Sequence, residues 1–309
     1  MAQQWKMKSG TITQRDNQFS IKVILQETRE KFPVPGCSQH TKVAELKERL
    51  ELIAGIPIHL QRLSYIDEGD MPDKSTFKFN GIIPGGSVCL SIWAQDGWSD
   101  LVKAAAEGNL EKLKSLGVTA DSGYNTQNSL RFSMKQRNEW VASRASVALY
   151  VAAHRGHLSM IRFLLKNGAN VLAKTRLGNS PLHVASAMGK CDCVDELLAN
   201  GAQTQDTNVN GHNALSLARL WGQKKAERHL FQFQWRERAA SVSVSAHLDP
   251  SELFAHQKFD SKLKTWRSGS HAKRYMANLV QYKEFVGSGL GAPKKTTAAA
   301  TAKSQESER

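Results

Sequence analysis

The chain repeats itself every 33 residues, and no other feature of the sequence constrains its fold as strongly. Gly178, Asn179, Ser180, Pro181, Leu182 and His183 lead into Val184 and Ala185, then Gly189, the pair Leu197 and Leu198, and the pair Gly201 and Ala202. A shift of 33 forward lands on Gly211, Leu215, Ala218, Gly222 and Leu230. The same shift back lands on Leu149, Ala152, Gly156, Leu164, Leu165, Gly168 and Ala169. A unit this short cannot bury both of its faces, so copies must stack, each touching only its neighbours. Pro181 stands where a helix starts, because its missing N–H costs nothing in the first turn. Leu182, Ala185, Leu197 and Leu198 are the residues to bury between layers, and Gly201 lets the chain leave the second helix with positive φ.

This period, with Ser-Pro-Leu-His, Leu-Leu and Gly-Ala in register, resembles the ankyrin repeat. The resemblance implies that His183 ties turn backbones together, a structural role and not that of a general base. It also implies that partners are met at hairpin tips and in the inner groove. The contact candidates on that ground are Lys174, Thr175, Arg176 and Leu177 on one tip, and Asn208, Val209 and Asn210 on the next. An earlier copy runs from Trp98 through Leu101, Ala104, Ala105, Gly108 and Leu110 to Leu113, without the Ser-Pro-Leu-His turn, as an N-terminal cap does. In the last copy Ala214 and Ser216 replace the Pro and the His. Lys224, Lys225 and Arg228 make its second helix basic, as suits a solvated C-terminal cap. About four repeats thus occupy 97–236. Gly108 and Gly156 lie 48 apart, so roughly 15 residues are inserted, within 121–144, a polar and basic segment holding Phe132, Met134 and Trp140. Long insertions map to surface loops and often carry function, which adds Trp140 to the contact candidates.

Residues 19–95 have a different grammar. Phe19, Ile21, Val23 and Leu25 alternate as in a half-buried strand, and Phe32 continues its partner before Pro33, Pro35 and Gly36 punctuate. Thr41 reads as an N-cap, and Val43, Leu46, Leu50 and Ile53 make one helix face that Gly55 ends. Short strands follow at Gln61 to Tyr65 and around Val88, Leu90 and Ile92. The run Thr41, Val43, Leu46, Lys47, Leu50, then Gly55-Ile56-Pro57 and Gln61-Arg62-Leu63, with Asn80-Gly81-Ile82, resembles ubiquitin. The expected fold is therefore an α+β ubiquitin-like β-grasp roll followed by an all-α ankyrin-repeat solenoid. The resemblance also marks departures. The last strand runs on to Trp98 and beyond instead of ending in a free Gly-Gly, so the region is not expected to be conjugated as a modifier. Ser64 and Ser91 stand where ubiquitin carries the Ile and Val that its receptors grip, which takes away aliphatic anchors.

Charge is distributed unevenly. Residues 19–95 carry 9 basic and 9 acidic side chains, 96–236 carry 18 and 11, and 237–309 carry 12 and 7. A basic surface suits acidic partners. Here it is diffuse, without Lys/Arg runs or base-stacking aromatics, which argues against nucleic acid. Residues 1–18 are expected to be an N-terminal arm. Within 249–286, Asp249, Pro250 and Glu252 open an amphipathic helix carrying Phe259, Leu263 and Trp266. A second stretch has Tyr275, Leu279 and Tyr282, and residues 287–309 read as a disordered basic tail. Phe259, Leu263 and Trp266 join the contact candidates.

Chemistry is poorly supplied. Cys191 and Cys193 lie two apart on a helix, where side chains diverge, and no second Cys/His pair at zinc spacing accompanies them. Cys37 with His40 lacks a protease context, and no Gly-rich phosphate loop is present. No metal, cofactor or catalytic residue is expected. No apolar run reaches the roughly 18–20 residues that span a bilayer, and the N-terminus lacks a signal-peptide pattern. With four cysteines at irregular spacing, a reducing cytoplasmic setting is expected. Two readings stay open: an adaptor that binds an acidic protein through the ankyrin surface and basic appendages, or a structural component of a cytoskeletal assembly such as a ciliary or axonemal microtubule.

Overall fold

A computed structural model describes residues 18–66 and 69–241. The arm at 1–17, the amphipathic stretches with Phe259, Leu263 and Trp266, and the tail at 287–309 lie outside the described residues. The chain opens with β1 (Phe19–Leu25) and β2 (Lys31–Cys37), passes through α1 (Val43–Ile53), and returns as β3 (Gln61–Ser64) and β4 (Ser87–Ile92). The strands form one mixed sheet in the order β2-β1-β4-β3. β1 and β4 pair in parallel at its centre, and both outer pairs are antiparallel. Ile21, Val23 and Leu25 alternate inward and meet Val43, Leu46 and Leu50 of α1, all at most 1% exposed.

Two local expectations are corrected here. Pro33 and Pro35 do not interrupt the second strand: β2 runs through both. It is an edge strand, where a proline without an N–H leaves no ladder bond unmade. Thr41 does not cap α1. The cap position is Lys42, without a side-chain bond, and Thr41 Oγ1 instead accepts the Ser38 N–H at 2.9 Å. The first N–H groups of α1 are satisfied from elsewhere, Val43 by the Ser75 carbonyl and Ala44 by that of Asp73, each at 3.0 Å.

After a short 3-10 turn at Gln95–Gly97, four helix pairs follow: α2 (Trp98–Glu107) with α3 (Leu110–Lys114), α4 (Met134–Arg155) with α5 (Leu158–Lys166), α6 (Pro181–Ala187) with α7 (Cys191–Ala199), and α8 (Ala214–Leu220) with α9 (Lys224–Ser241). The first helices of successive pairs pack side by side, as do α5 and α7 behind them. Leu182, Ala185 and Leu197 are fully buried between layers, each buried leucine stabilising by about 1.5–3 kcal/mol. Gly156, Gly189 and Gly222, one period apart, take φ of +89°, +69° and +68° between the helices of their pairs, a conformation that glycine adopts at no steric cost. Sheet and helix pairs belong to one compact unit that extends to Trp235.

The insertion departs from expectation in part, because only its first half is a surface loop. Its second half is an N-terminal extension of α4, opened by a capping box in which Ser133 and Gln136 bond each other's backbone. The residues before it fold back on the start of the first pair. Trp140 is 9% exposed and Arg144 fully buried, so the helical end of the segment packs into the core while most of 121–139 stays at the surface.

Candidate functional site

Helix α1 ends against the stack, and that junction decides which surfaces remain free. The last carbonyls of any helix lack partners within it. Those of α1 are taken by α4: Tyr150 Oη donates to the Glu51 carbonyl at 3.2 Å, and His154 Nε2 lies 3.1 and 3.2 Å from the carbonyls of Leu52 and Ile53. Arg155 Nη2 donates to the Ala54 carbonyl at 3.3 Å and to Glu30 Oε2 at 2.7 Å. With Nε2 donating, His154 Nδ1 is left to accept Arg155 Nη1, 3.2 Å away. The ring is therefore neutral. Burial and the adjacent Arg155 push its pKa down to about 3. Gly55, at φ +69°, lets the chain turn over this ring, since a Cβ there would stand 2.3 Å from His154 Cγ.

A second contact crosses from α1 to the turn tips. The Glu51 carboxylate, with no exposed surface, accepts the Ile58 N–H at 3.0 Å, Asn179 Nδ2 at 2.8 Å and the Thr175 hydroxyl. Burial raises its pKa, and the bonds from Thr175, Asn179 and Ile58 oppose that rise. Asn179 Oδ1 in turn accepts Asn208 Nδ2 at 3.0 Å, and Asn208 Oδ1 accepts the N–H groups of Asn210 and His212 at 3.1 and 2.9 Å. One polar chain thus links α1 to two successive tips. An unsatisfied carboxylate buried here would be costly; this one has three donors.

The inserted segment closes the other side of the joint. The Arg144 guanidinium lies 4.7 Å from the ring centre of Trp140, 4.9 Å from Tyr124 and 5.2 Å from Trp98. It donates to the carbonyls of Leu116 at 2.9 Å and Asp96 at 2.7 Å. Burial lowers its pKa, with Tyr124 and Asp96 opposing. Asp96 itself sits at φ +56°, held by Thr126 and Asn128, whose side chains donate to its carboxylate at 2.9 and 3.0 Å. The link between sheet and stack is therefore clamped from both sides.

The expected contact residues divide accordingly. Trp140 is enclosed, stacked on Tyr124 with ring centres 6.2 Å apart. Thr175 and Asn208 are spent inside the polar chain described above. Lys174 pairs with Asp206 of the next tip at 3.0 Å, and the half-buried Leu177 gives its carbonyl to the Val209 N–H. Arg176, Val209 and Asn210 remain exposed, Val209 by 71%. The inner helix α6 is buried along its whole length, so in that unit no inner-helix residue is left for a partner. Ser64 and Ser91 are half-buried on β3 and β4. His183 is buried, its ring nitrogen 2.7 Å from Ser180 Oγ in the capping box that starts α6.

Sequence reasoning missed Glu51, Tyr150, His154 and Arg155. Glu51 lies off the apolar face of α1, and nothing local marks it. The cluster Tyr124, Phe132 and Trp140 in an otherwise polar segment was the available signal that the insertion packs. Among the described residues no group of three or more His, Cys, Asp or Glu could hold a metal ion, and no helix is long and apolar enough to cross a membrane.

Comparison with known proteins adds to this geometry. The family described as Ankyrin repeats (3 copies) matches residues 101–210 and 149–234. The mouse Ankyrin repeat domain-containing protein 37 is 30% identical over 109 residues, covering 35% of this chain and 69% of that protein. Its human counterpart is 28% identical over 107 residues, 66% of its length. The ANK repeat-containing protein nipk-1 of Caenorhabditis elegans is 28% identical over 152 residues, 46% of this chain and 25% of that protein.

Proposed function

Since the chain belongs to the ankyrin-repeat proteins, whose stacks bury their layers and present their turns, we propose that it is a non-catalytic adaptor that binds a protein partner through its turn tips. The observation that carries this reading is the division of the tips: Thr175 and Asn208 are consumed by the fold, while Arg176, Val209 and Asn210 project free. The β-rich region at 19–95 is, in this proposal, a ubiquitin-like roll, supported by the strand order β2-β1-β4-β3 around a parallel centre with one helix across it. Its chain continues from β4 into α2, so it serves as a fixed part of the scaffold and not as a modifier. The stack at 97–236 carries the contact surface, and the setting is cytoplasmic.

Val209→Asp tests this. A quantitative pull-down with the full chain should lose its enriched protein set with this variant and keep it with Arg162→Asp on the outer helix α5. Equal enrichment by Val209→Asp and the unaltered chain would refute the tip surface. A second reading, docking on an acidic filament such as a microtubule, is favoured by the exposed Lys224, Lys225 and Arg228 along α9. It predicts salt-sensitive co-sedimentation with polymerised tubulin, lost when these three become glutamate.

A further inference from the structure

Between the edge of the sheet and the first turn tip lies an open cleft of about 370 Å³. Its walls come from distant parts of the chain: His59, Arg62 and Trp93 on the sheet side, Arg176 and Leu177 on the tip. Glu51 holds Thr175 and Asn179, which flank Arg176 and Leu177, against α1. Trp93 is 41% exposed, and Arg62 lies over its ring at 5.1 Å. Two of the cleft's cations are already neutralised: Arg62 Nε donates to Asp70 at 2.7 Å, and Lys47 pairs with Asp73 at 2.7 Å. Among the described residues no carboxylate pairs with Arg176, which stands exposed on the wall beside Leu177.

The geometry points to this cleft as a docking site for an extended acidic peptide segment of a partner protein, with a carboxylate on Arg176 and an apolar side chain against Trp93 and Leu177. A guanidinium that no described carboxylate neutralises offers paired, parallel donors that match a carboxylate. An exposed indole beside an aliphatic chain supplies the anchor surface typical of interface centres. The rim also carries Asp70 and Asp73, the latter with a side chain 62% exposed. Fixed carboxylates there repel a phosphate backbone but admit a peptide whose neighbouring groups are amides or bases. That mixed sign selects peptide over nucleic acid. The inference deepens the adaptor reading and rests on it for the class of partner, but its residues are distinct from the Val209 tip.

The test is fluorescence anisotropy with the full chain at about physiological salt, where long-range surface attraction is screened. The probe is a fluorescein-labelled leucine–glutamate peptide of about ten residues, with one central glutamate flanked by leucines and the remaining positions asparagine and serine. Comparison probes are the same peptide with lysine for the glutamate and a single-stranded oligonucleotide. Saturable binding of the leucine–glutamate peptide is expected, weakened about tenfold or more by Arg176→Glu, which converts to about 1.4 kcal/mol. Lys166→Glu makes the same charge change at an exposed position on α5 and should leave the affinity within about twofold. Equal weakening by Lys166→Glu, absence of saturable binding, or tighter Arg176-dependent binding of the oligonucleotide would each overturn the proposal. Loss of the pull-down with Val209→Asp while the peptide fails to bind would leave the adaptor reading standing and remove the cleft from it.

Discussion

Replacing Arg144 by methionine asks whether the inserted segment is part of the core. The substitution keeps an unbranched chain of similar reach and removes the guanidinium. It deletes two charge-assisted hydrogen bonds, to the carbonyls of Leu116 and Asp96, and leaves those acceptors short at about 1–3 kcal/mol each. It also removes a cation enclosed by Trp98, Tyr124 and Trp140, where desolvated stacking contributes about 2 kcal/mol or more. Against this stands the cost of burying the charge, several kcal/mol that methionine does not incur. The losses outweigh the relief by about 2–4 kcal/mol, because the Leu116 carbonyl is buried and that of Asp96 half-buried. For a folded unit of this size that is a fall in Tm of about 6–12 °C. Calorimetry on the full chain measures it, and hydrogen exchange should rise first between Gln95 and Trp98 and across 119–133. A Tm within about 2 °C of the unaltered protein, or above it, would refute the claim that Arg144 organises the joint.

Three further outcomes follow from the same contacts. Stability should fall as pH drops below about 6.5, because the unfolded His154 binds a proton there while the folded ring resists until about 3; the slope approaches about 1.4 kcal/mol per pH unit. Glu51, whose pKa is raised in the fold, contributes with the opposite sign. The decisive comparison is therefore with His154→Gln, whose urea midpoint should change less between pH 6.5 and 4 (a range set by the His154 window). Gly55→Ala forces a left-handed residue and places its Cβ 2.3 Å from His154 Cγ, so urea unfolding should show a loss of about 3 kcal/mol or more. Val209→Asp, on a residue 71% exposed, should leave the urea midpoint nearly unchanged, within about 0.5 kcal/mol; a larger loss would mean that the tip is structural.

The repeat and its helices were legible because their causes are local. Pro181, the Leu197–Leu198 pair and the glycines at 156, 189 and 222 each state a backbone or burial requirement within a few residues. Gly55 was legible as a helix terminator, but its second cause was not: His154 lies about 100 positions away and comes over Gly55 only once the stack forms. The same holds for Glu51, whose partners Thr175 and Asn179 are more than 120 residues distant. A burial set by contacts at that separation leaves no periodic trace. Arg144 was misread with the insertion for a related reason. A basic residue in a polar stretch looks solvated until three aromatic rings, one of them Trp98 from outside that stretch, are placed around it. Pro33 and Pro35 read as breaks because sequence does not say which strand lies at a sheet edge.

That the sheet region is fastened to the stack through α1, with the turn tips left free for partners, is tested most directly by a double-mutant cycle. Glu51→Gln and Asn179→Ala, singly and together, would be followed by urea unfolding of the full chain, with hydrogen exchange read separately in 19–95 and 97–236. The contact across the joint predicts a coupling of about 1 kcal/mol or more and a single transition in which both regions lose protection together. Additive single effects, with the sheet region unfolding at its own midpoint regardless of Asn179, would contradict it.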